Sequence, residues 1–305
     1  MTAILVPLDG SRFAESVVPL ALSVARAMRA ELHLVRVHEL IAIPIMDAIT
    51  PMPVIDAALE AESRTGQSAD LERSAADLRS SRGLTVHTAL LDGNVSDAIV
   101  EYARTHAVSL IVSSTHGRTG FARAALGSVA TELVRRSGMP TLLLHTSDGQ
   151  APAAPASFEH VLVPLDGSAL AEVVLPPALS LLSGKRRVTL FRMVAPVTVD
   201  LAPSPMPMAV VDPVALEAEM ASAREYLEGV AATLRPQGFT VDVDVSANVS
   251  APTSIASAIE TARPDLVAIA THSRSGFARF VFGSVAESLV ALVRTPVLVF
   301  HPPGR

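Results

Sequence analysis

Two glycine-containing loops have the residue types and spacing needed to bind an anion, and an acidic residue follows an early apolar run in each half of the chain. Asp9 and Asp166 each follow an apolar run of strand length, in the segments ILVPLDGS and VLVPLDGS. The loops read STHGRTGFARAALGSVA from Ser114 and THSRSGFARFVFGSVA from Thr271. Their glycines allow backbone N–H groups to approach an anion, and a helix predicted to begin at Ser128 would add its positive end. The pattern predicts a phosphate-binding corner in each half of the chain.

Both loops also carry cationic and imidazole side chains. The arginines could contact phosphate oxygens or lie in solvent, and the residues leave the two roles evenly balanced. The histidines, which recur at the same place, are predicted to orient the loop by a hydrogen bond. One imidazole without a carboxylate at ligand spacing does not make a metal site, so no metal ligand is predicted. These side chains are Arg118, Arg123, Arg274, Arg279, His116 and His272.

The loops are part of a duplication that covers nearly all of the 305 residues. One offset separates His116 from His272, Gly127 from Gly283 and Pro140 from Pro296. The predicted domains are residues 1–146 and 159–305, joined by an Ala- and Pro-rich linker at 147–158.

Composition excludes several classes of function. The net charge is −6 and Trp is absent, so neither a basic footprint nor stacking platforms for nucleic acid are present. The absence of cysteine excludes disulfides and thiolate metal sites. No leader-like start and no apolar run of about 18 residues is present, so we expect a cytoplasmic protein without membrane contact.

Apolar runs alternate with helical patterns through the first copy. Strands are predicted at 3–8, 32–37, 84–90, 109–113 and 141–145, with helices at 11–30, 56–81, 95–106 and 128–136. This alternation predicts two tandem α/β domains, each a Rossmann-like, doubly wound, five-stranded parallel sheet in the order 3-2-1-4-5. Ligands bind such sheets where the strand order reverses, and there the ends of the first and fourth strands would bring Asp9 and the Gly117 loop together.

The segments 41–56 and 197–213 are rich in Pro and Met and unusually apolar for connections. We expect them to fold over something. Padding of a domain or subunit contact is favoured over a ligand lid.

The sequence resembles the universal stress protein family in its tandem form. The resemblance rests on VPLDGS, the THGRTG and THSRSG loops, the GSVA helix starts and the closing TLLLH and PVLVF strands. ATP-binding members carry Gly, two residues, Gly, nine residues, then Gly followed by Ser or Thr. The matching positions here are Ser114, Gly117, Gly127 and Ser128 in the first copy and Ala270, Ser273, Gly283 and Ser284 in the second.

The resemblance implies an ATP site, with or without Mg²⁺, in each copy. Asp9 and Asp166, with the backbone near Val37 and Met193, would hold adenine and ribose. The matched loop positions would surround the phosphates, together with Arg118, Val129 and Val285. One glycine of three is replaced in the first copy and two in the second, so we expect the first site to bind more tightly.

Structural roles compete at several of these positions. Asp-Gly-Ser also favours an Asx turn or a helix cap, although position and repetition favour binding for Asp9 and Asp166. Ser128 and Ser284 could be N-caps, and Ser284 with Glu287 fits a capping box. A cap hydroxyl could still turn to an anion.

No catalytic residue is predicted. Neither loop has a P-loop lysine, and no nucleophile elbow or water-orienting base is readable. The favoured function is a nucleotide-dependent regulatory or interaction module of the stress response, with an unknown protein partner. The alternatives are a nucleotide-free interaction module and a slow ATPase. The final strands at 141–145 and 296–301 are expected at sheet edges, where the copies could meet as an internal pseudo-dimer and whole chains could form a homo-oligomer.

Overall fold

A computed structural model describes residues 2–39, 42–45, 52–55, 57–80, 84–115, 126–146, 155, 157–196, 198–200, 209–271 and 283–303. The chain forms two compact units, the first mainly residues before 142 and the second mainly residues from 155 onward. Among the described residues no helix is both long and apolar enough to cross a membrane.

In the first unit, the strands of the main sheet alternate with helices as predicted. Its strands are β1 (Ala3–Pro7), β2 (Glu31–His38), β3 (Ala42–Ile45), β4 (Met52–Ile55), β5 (Val86–Asp92), β6 (Val108–Ser114) and β7 (Thr141–Leu144). Its helices are α1 (Arg12–Glu15), α2 (Val18–Met28), α3 (Ala57–Ser80), α4 (Val95–Thr105) and α5 (Ser128–Ser137).

The main sheet of this unit has the order β5-β2-β1-β6-β7, which confirms the predicted 3-2-1-4-5 arrangement. β1 pairs in parallel with both β2 and β6, and β2 pairs in parallel with β5. Ile4, Leu5 and Val6 of β1 are fully buried, because helices cover both faces of a doubly wound sheet. The carboxyl ends of β1 and β6 therefore reach one edge together.

The predicted helix from 11 to about 30 is wrong in one respect, because it is two helices. Ser11 does cap α1, its Oγ accepting a hydrogen bond from the N–H of Ala14 at 3.2 Å. α1 stops at Glu15 and α2 starts afresh at Val18 with Pro19 in its first turn. Proline lacks the N–H of a continuous helix and fits only the first turn, so the break precedes it.

The Pro- and Met-rich segments contain short strands that we did not predict. β3 and β4 pair antiparallel, with Pro44 opposite Pro53. Proline is tolerated there because a two-stranded pair consists only of edge strands. Apart from these strands and residues 212 and 213, both segments lie outside the described residues, and their role as padding or lid stays a prediction.

The second unit repeats the architecture. Its strands are β8 (Phe158–Pro164), β9 (Leu182–Val194), β10 (Thr198–Asp200), β11 (Ala209–Val211), β12 (Thr240–Ala247), β13 (Leu266–Ala270) and β14 (Val297–Phe300). Its helices are α6 (Ala169–Glu172), α7 (Leu175–Ser180), α8 (Pro213–Leu234), α9 (Ala251–Ala262) and α10 (Ser284–Leu292). The parallel order β12-β9-β8-β13-β14 is again 3-2-1-4-5, and β10 pairs antiparallel with β11.

Candidate functional site

A cleft of about 310 Å³ opens in the first unit where β1 and β6 end. It is bounded by the ends of β1, β2 and β6 and by the starts of α4 and α5, as the switch point of the sheet requires. The lining residues used below are Asp9, Val37, Glu39, Val95, Ile99, Ser114, Thr115, Gly127, Ser128 and Val129.

Asp9 lies at the end of β1 and takes part in a turn. Its Oδ1 accepts the N–H of Ser11 at 2.8 Å, which is the Asx turn that Asp-Gly-Ser favours. The side chain nevertheless lines the cleft. The structural and binding interpretations of Asp9 are thus compatible, with one carboxylate oxygen engaged by Ser11.

The other side of the cleft is the amino end of α5. The N–H of Gly127 donates to the carbonyl of Thr115 at 2.7 Å, which joins the end of β6 to the start of the helix. The first bond of the helix runs from the N–H of Thr131 to the carbonyl of Gly127 at 3.0 Å. The N–H groups of residues 128–130 therefore have no acceptor within the helix, and they are the donors that helix termini offer to anions.

Ser128 and Ser284 are not the N-caps of their helices, which corrects that structural alternative. The N-caps are Gly127 and Gly283, neither with a side-chain capping bond, and the serines are the first helical residues. The capping box of Ser284 with Glu287 is therefore shifted out of register by one residue. Ser128 is exposed beside the cleft.

Six of the eight residues predicted for the first copy line this cleft. They are Asp9, Val37, Ser114, Gly127, Ser128 and Val129. The other two, Gly117 and Arg118, lie outside the described residues, as do Arg123, His116, and, in the second copy, Ser273, Arg274, Arg279 and His272.

Sequence reasoning missed the wall contributed by α4. Val95 and Ile99 line the cleft, and Ile99 also packs in the core around Val37. The signal available was the helical spacing of these two apolar residues directly after the third strand of the main sheet. Thr115 and Glu39 were missed too, since each simply follows a predicted strand.

The corresponding position of the second unit differs in three respects. Asp166 is exposed, and its Oδ1 accepts bonds from both the N–H and the hydroxyl of Ser168, at 2.9 and 2.6 Å. Gly283 has φ 10° and ψ 116°, whereas Gly127 has φ −66° and ψ 152°, so the backbone at the start of the helix differs between the two copies. Glu287 puts a carboxylate in the first turn of α10, where the first turn of α5 has no acidic residue.

The remaining predicted residues of the second copy are Met193, Ala270, Ser284 and Val285. Met193 and Ala270 are partly buried near the ends of β9 and β13, and Ser284 and Val285 begin α10. They thus occupy the positions that Val37, Ser114, Ser128 and Val129 occupy in the first copy.

Fold and cleft define a class: a tandem, doubly wound α/β protein with a candidate anion-binding cleft at the switch point of its first sheet. The family model described as the universal stress protein family matches residues 1–145 and 157–301. The chain therefore belongs to the universal stress protein family, in a form with two domains in tandem.

The chain is also similar to individual proteins. A universal stress protein of Mycobacterium tuberculosis H37Rv is 30% identical over 219 residues, covering 72% of this chain and 70% of the relative. The crystal structure of a universal stress protein from Archaeoglobus fulgidus superposes with a TM-score of 0.69 at 16% identity, covering 98% of this chain and 96% of that one. A universal stress protein solved in complex with cAMP matches 48% of this chain and 98% of its own, with a TM-score of 0.36 and 23% identity.

Proposed function

We propose that the chain is an ATP-binding regulatory module whose nucleotide site is the cleft of the first unit. One observation carries the proposal: Asp9 and the amino end of α5, which are far apart in the sequence, line the same cleft. A carboxylate suits ribose hydroxyls or an adenine amino group, whereas a helix amino end suits phosphate. A nucleotide presents both kinds of group at once.

The residues present fit an adenine nucleotide. The cleft volume of about 310 Å³ lies at the lower end of the range of small-molecule sites, and Val37, Val95 and Ile99 give it apolar walls. The N–H groups of residues 128–130 are donors for phosphate oxygens. ATP, with or without Mg²⁺, would accordingly have its base against the apolar wall and its phosphates at α5.

Unequal affinity of the two copies is part of the proposal. In the second unit Asp166 is exposed and Glu287 places negative charge in the first turn of α10. A carboxylate there competes with phosphate for the positive end of the helix, which should weaken phosphate binding by about 0.3–1 kcal/mol. We expect Ser273, Gly283 and Ser284 to form the weaker site.

Nucleotide occupancy would bias the order of the loops and so alter contacts with a protein partner. We place the protein in the cytoplasm, with domains at 1–146 and 159–305, a linker at 147–158, and association as an internal pseudo-dimer and a homo-oligomer. No catalytic group is assigned, because none of the described residues that line the cleft is identified as a base for water.

The first test is to denature freshly purified protein and to identify and count the released nucleotide by chromatography. About one ATP per chain would support a tight first site and a weaker second one. Two per chain would support binding but contradict unequal affinity. An empty protein that takes up no added ATP in a calorimetric titration would overturn the proposal.

That last result would favour a nucleotide-free interaction module, which the glycine replacements at Ser114, Ala270 and Ser273 make the second candidate. A slow ATPase is tested separately, by phosphate release from bound ATP. Release that Asp9→Ala abolishes would require turnover to be added to the function.

A further inference from the structure

The opposite end of the first sheet holds a cluster of imidazole and carboxylate groups. Glu31 and His33 lie near the start of β2, and His87 lies near the start of β5. His33 and His87 are register partners in the parallel pair, and Glu31 shares their face because alternate strand residues point the same way. The cluster is thus at the amino end of two neighbouring strands, one of which, β2, borders the cleft with its carboxyl end.

The three side chains offer one ligand atom each within 4.8 Å of one another. Oε2 of Glu31 lies 3.2 Å from Nε2 of His87 and 3.9 Å from Nε2 of His33. Ligands of a tetrahedral zinc ion stand about 3.3 Å apart, given bonds of about 2.0–2.1 Å. His87 is exposed and Glu31 is half-buried, so both side chains have room to turn toward a shared ion.

His33 is the buried member of the cluster. It is 5% exposed, and its Nε2 is buried without a hydrogen-bond partner among the described residues. A buried imidazole nitrogen without a partner is costly unless something is bound to it. That nitrogen lies 3.9 Å from Oε2 of Glu31.

The other nitrogen of His33 is held by α4. Nδ1 lies 2.9 Å from the hydroxyl oxygen of Tyr102, and the Tyr102 ring stacks on His106 with centroids 3.8 Å apart. When Nδ1 carries the proton and donates a hydrogen bond to the Tyr102 hydroxyl, the lone pair of Nε2 is available to a metal. Metal-bound histidines usually have such a partner on their second nitrogen.

We propose that Glu31, His33 and His87 form a site for a divalent transition-metal ion such as Zn²⁺. Two imidazoles and one carboxylate suit Zn²⁺, Co²⁺ or Ni²⁺ better than Mg²⁺ or Ca²⁺, which prefer oxygen ligands alone. Three protein ligands leave a fourth position for water or an outside ligand. Binding replaces the His87–Glu31 hydrogen bond and links edge strand β5 to β2.

The second copy has different residues at the equivalent positions of its sheet. Arg187 and Asp242 form an ion pair there, Nε to Oδ2 at 2.7 Å. Thr189, the counterpart of His33, lies opposite Asp242 in register and hydrogen-bonds Nε2 of His160 at 2.8 Å. Replacing Glu31, His33 and His87 by the residues of the second copy should therefore keep the sheet and remove the site.

The test uses full-length protein carrying no histidine tag. Co²⁺ is titrated into it while the visible absorption of four-coordinate cobalt is recorded, and Zn²⁺ affinity is then obtained by displacement. We expect one metal ion per chain at this site and at least tenfold weaker binding by the variant Glu31→Arg/His33→Thr/His87→Asp. His160→Gln, which removes a buried histidine of the second unit, should bind as the wild type does.

Circular dichroism checks that the triple variant is folded. If it is not, His87→Gln at an exposed position serves instead, with the same tenfold loss expected. Zn²⁺ should also raise the thermal midpoint of the wild type but not of the variant. Equal Zn²⁺ affinity in wild type and folded variant, or no binding by the wild type, would overturn the site and leave Glu31 and His87 as an ion pair.

Discussion

The guanidinium of Arg36 packs directly against Gly10. A Cβ built on Gly10 would lie 2.9 Å from Nη1 of Arg36, and one built on Gly167 would lie 3.0 Å from Nη1 of Arg192. Both glycines have positive φ, +79° and +90°. In each unit, an arginine of the second strand therefore packs against the turn that follows the first strand.

This relationship predicts that Gly10→Ala destabilises the first unit by more than its backbone strain. The strain of a non-glycine residue at positive φ is about 1–2 kcal/mol, and displacement of the largely buried Arg36 side chain adds to it. The matched control is Gly93→Ala, at φ +106° with nothing within 4 Å of its Cβ. Urea unfolding of both variants measures the difference. Equal losses in the free energy of unfolding would show that the Arg36 side chain moves aside without an energetic cost.

Two substitutions at Asp9 separate its turn role from binding. Asp9→Asn keeps one oxygen to accept the N–H of Ser11, whereas Asp9→Ala does not. We expect ATP affinity to fall about tenfold or more in both, because a charged acceptor is lost. Only Asp9→Ala should also lower the free energy of unfolding, by about 1 kcal/mol. Calorimetric titration and urea unfolding measure these effects; full affinity in Asp9→Asn would leave Asp9 with the turn role alone.

Charge in the first turn of α5 should decide the strength of the first site. Thr131 occupies the position of Glu287, and Thr131→Glu brings the second copy's carboxylate to the first. We expect ATP binding about two- to fivefold weaker than in Thr131→Gln, which loses the same hydroxyl bond to Gly127. The difference should shrink with added salt. Equal affinities of the Glu and Gln variants would remove this charge from the explanation.

The reciprocal change should improve the second site. Glu287→Thr, made in an Asp9→Ala background so that the first site does not mask the signal, is expected to strengthen residual ATP binding by a similar two- to fivefold. Titration calorimetry against Asp9→Ala alone gives the comparison. An unchanged affinity would mean that the backbone at Gly283 limits binding.

Stability of the second unit should depend on the protonation of His160. Burial lowers its pKa, Arg187 adds to this, and Asp265 and Asp242 act in the opposite direction. The unfolded chain therefore binds a proton at higher pH than the folded one, so stability is full above about 6.5 and falls as pH drops toward the folded pKa. Urea midpoints between pH 7.5 and 5 should fall further in wild type than in His160→Gln. Parallel curves would contradict this assignment.

Local signals predicted most of the first sheet correctly because its strands are continuous apolar runs between glycine or polar turns. Ile4 to Val6 and the strand ending at Ser114 illustrate this. Pro19 indicates the break before α2, but the apolar spacing on either side of it predicts one continuous helix. The β3–β4 pair was not readable, since prolines at Pro44 and Pro53 normally argue against strands.

The candidate site was predictable where it depends on residues that follow a strand or begin the next helix. Asp9 and Gly127 belong to this group, and the switch-point rule brings them together. Val95 and Ile99 were not predictable as lining, because which face of α4 meets the cleft depends on tertiary packing. The cluster of Glu31, His33 and His87 depends on strand register, which a single sequence does not specify across more than 50 residues.

Helix α4 spans the distance between the cleft and the histidine cluster. Val95 and Ile99 line the cleft near its start, and Tyr102 contacts His33 near its end. Its 11 residues form a rod about 16 Å long. If either ligand displaces this rod, linkage requires that each changes the affinity of the other by the same factor. The zinc available to a cell would then be one input to how much of this protein carries nucleotide.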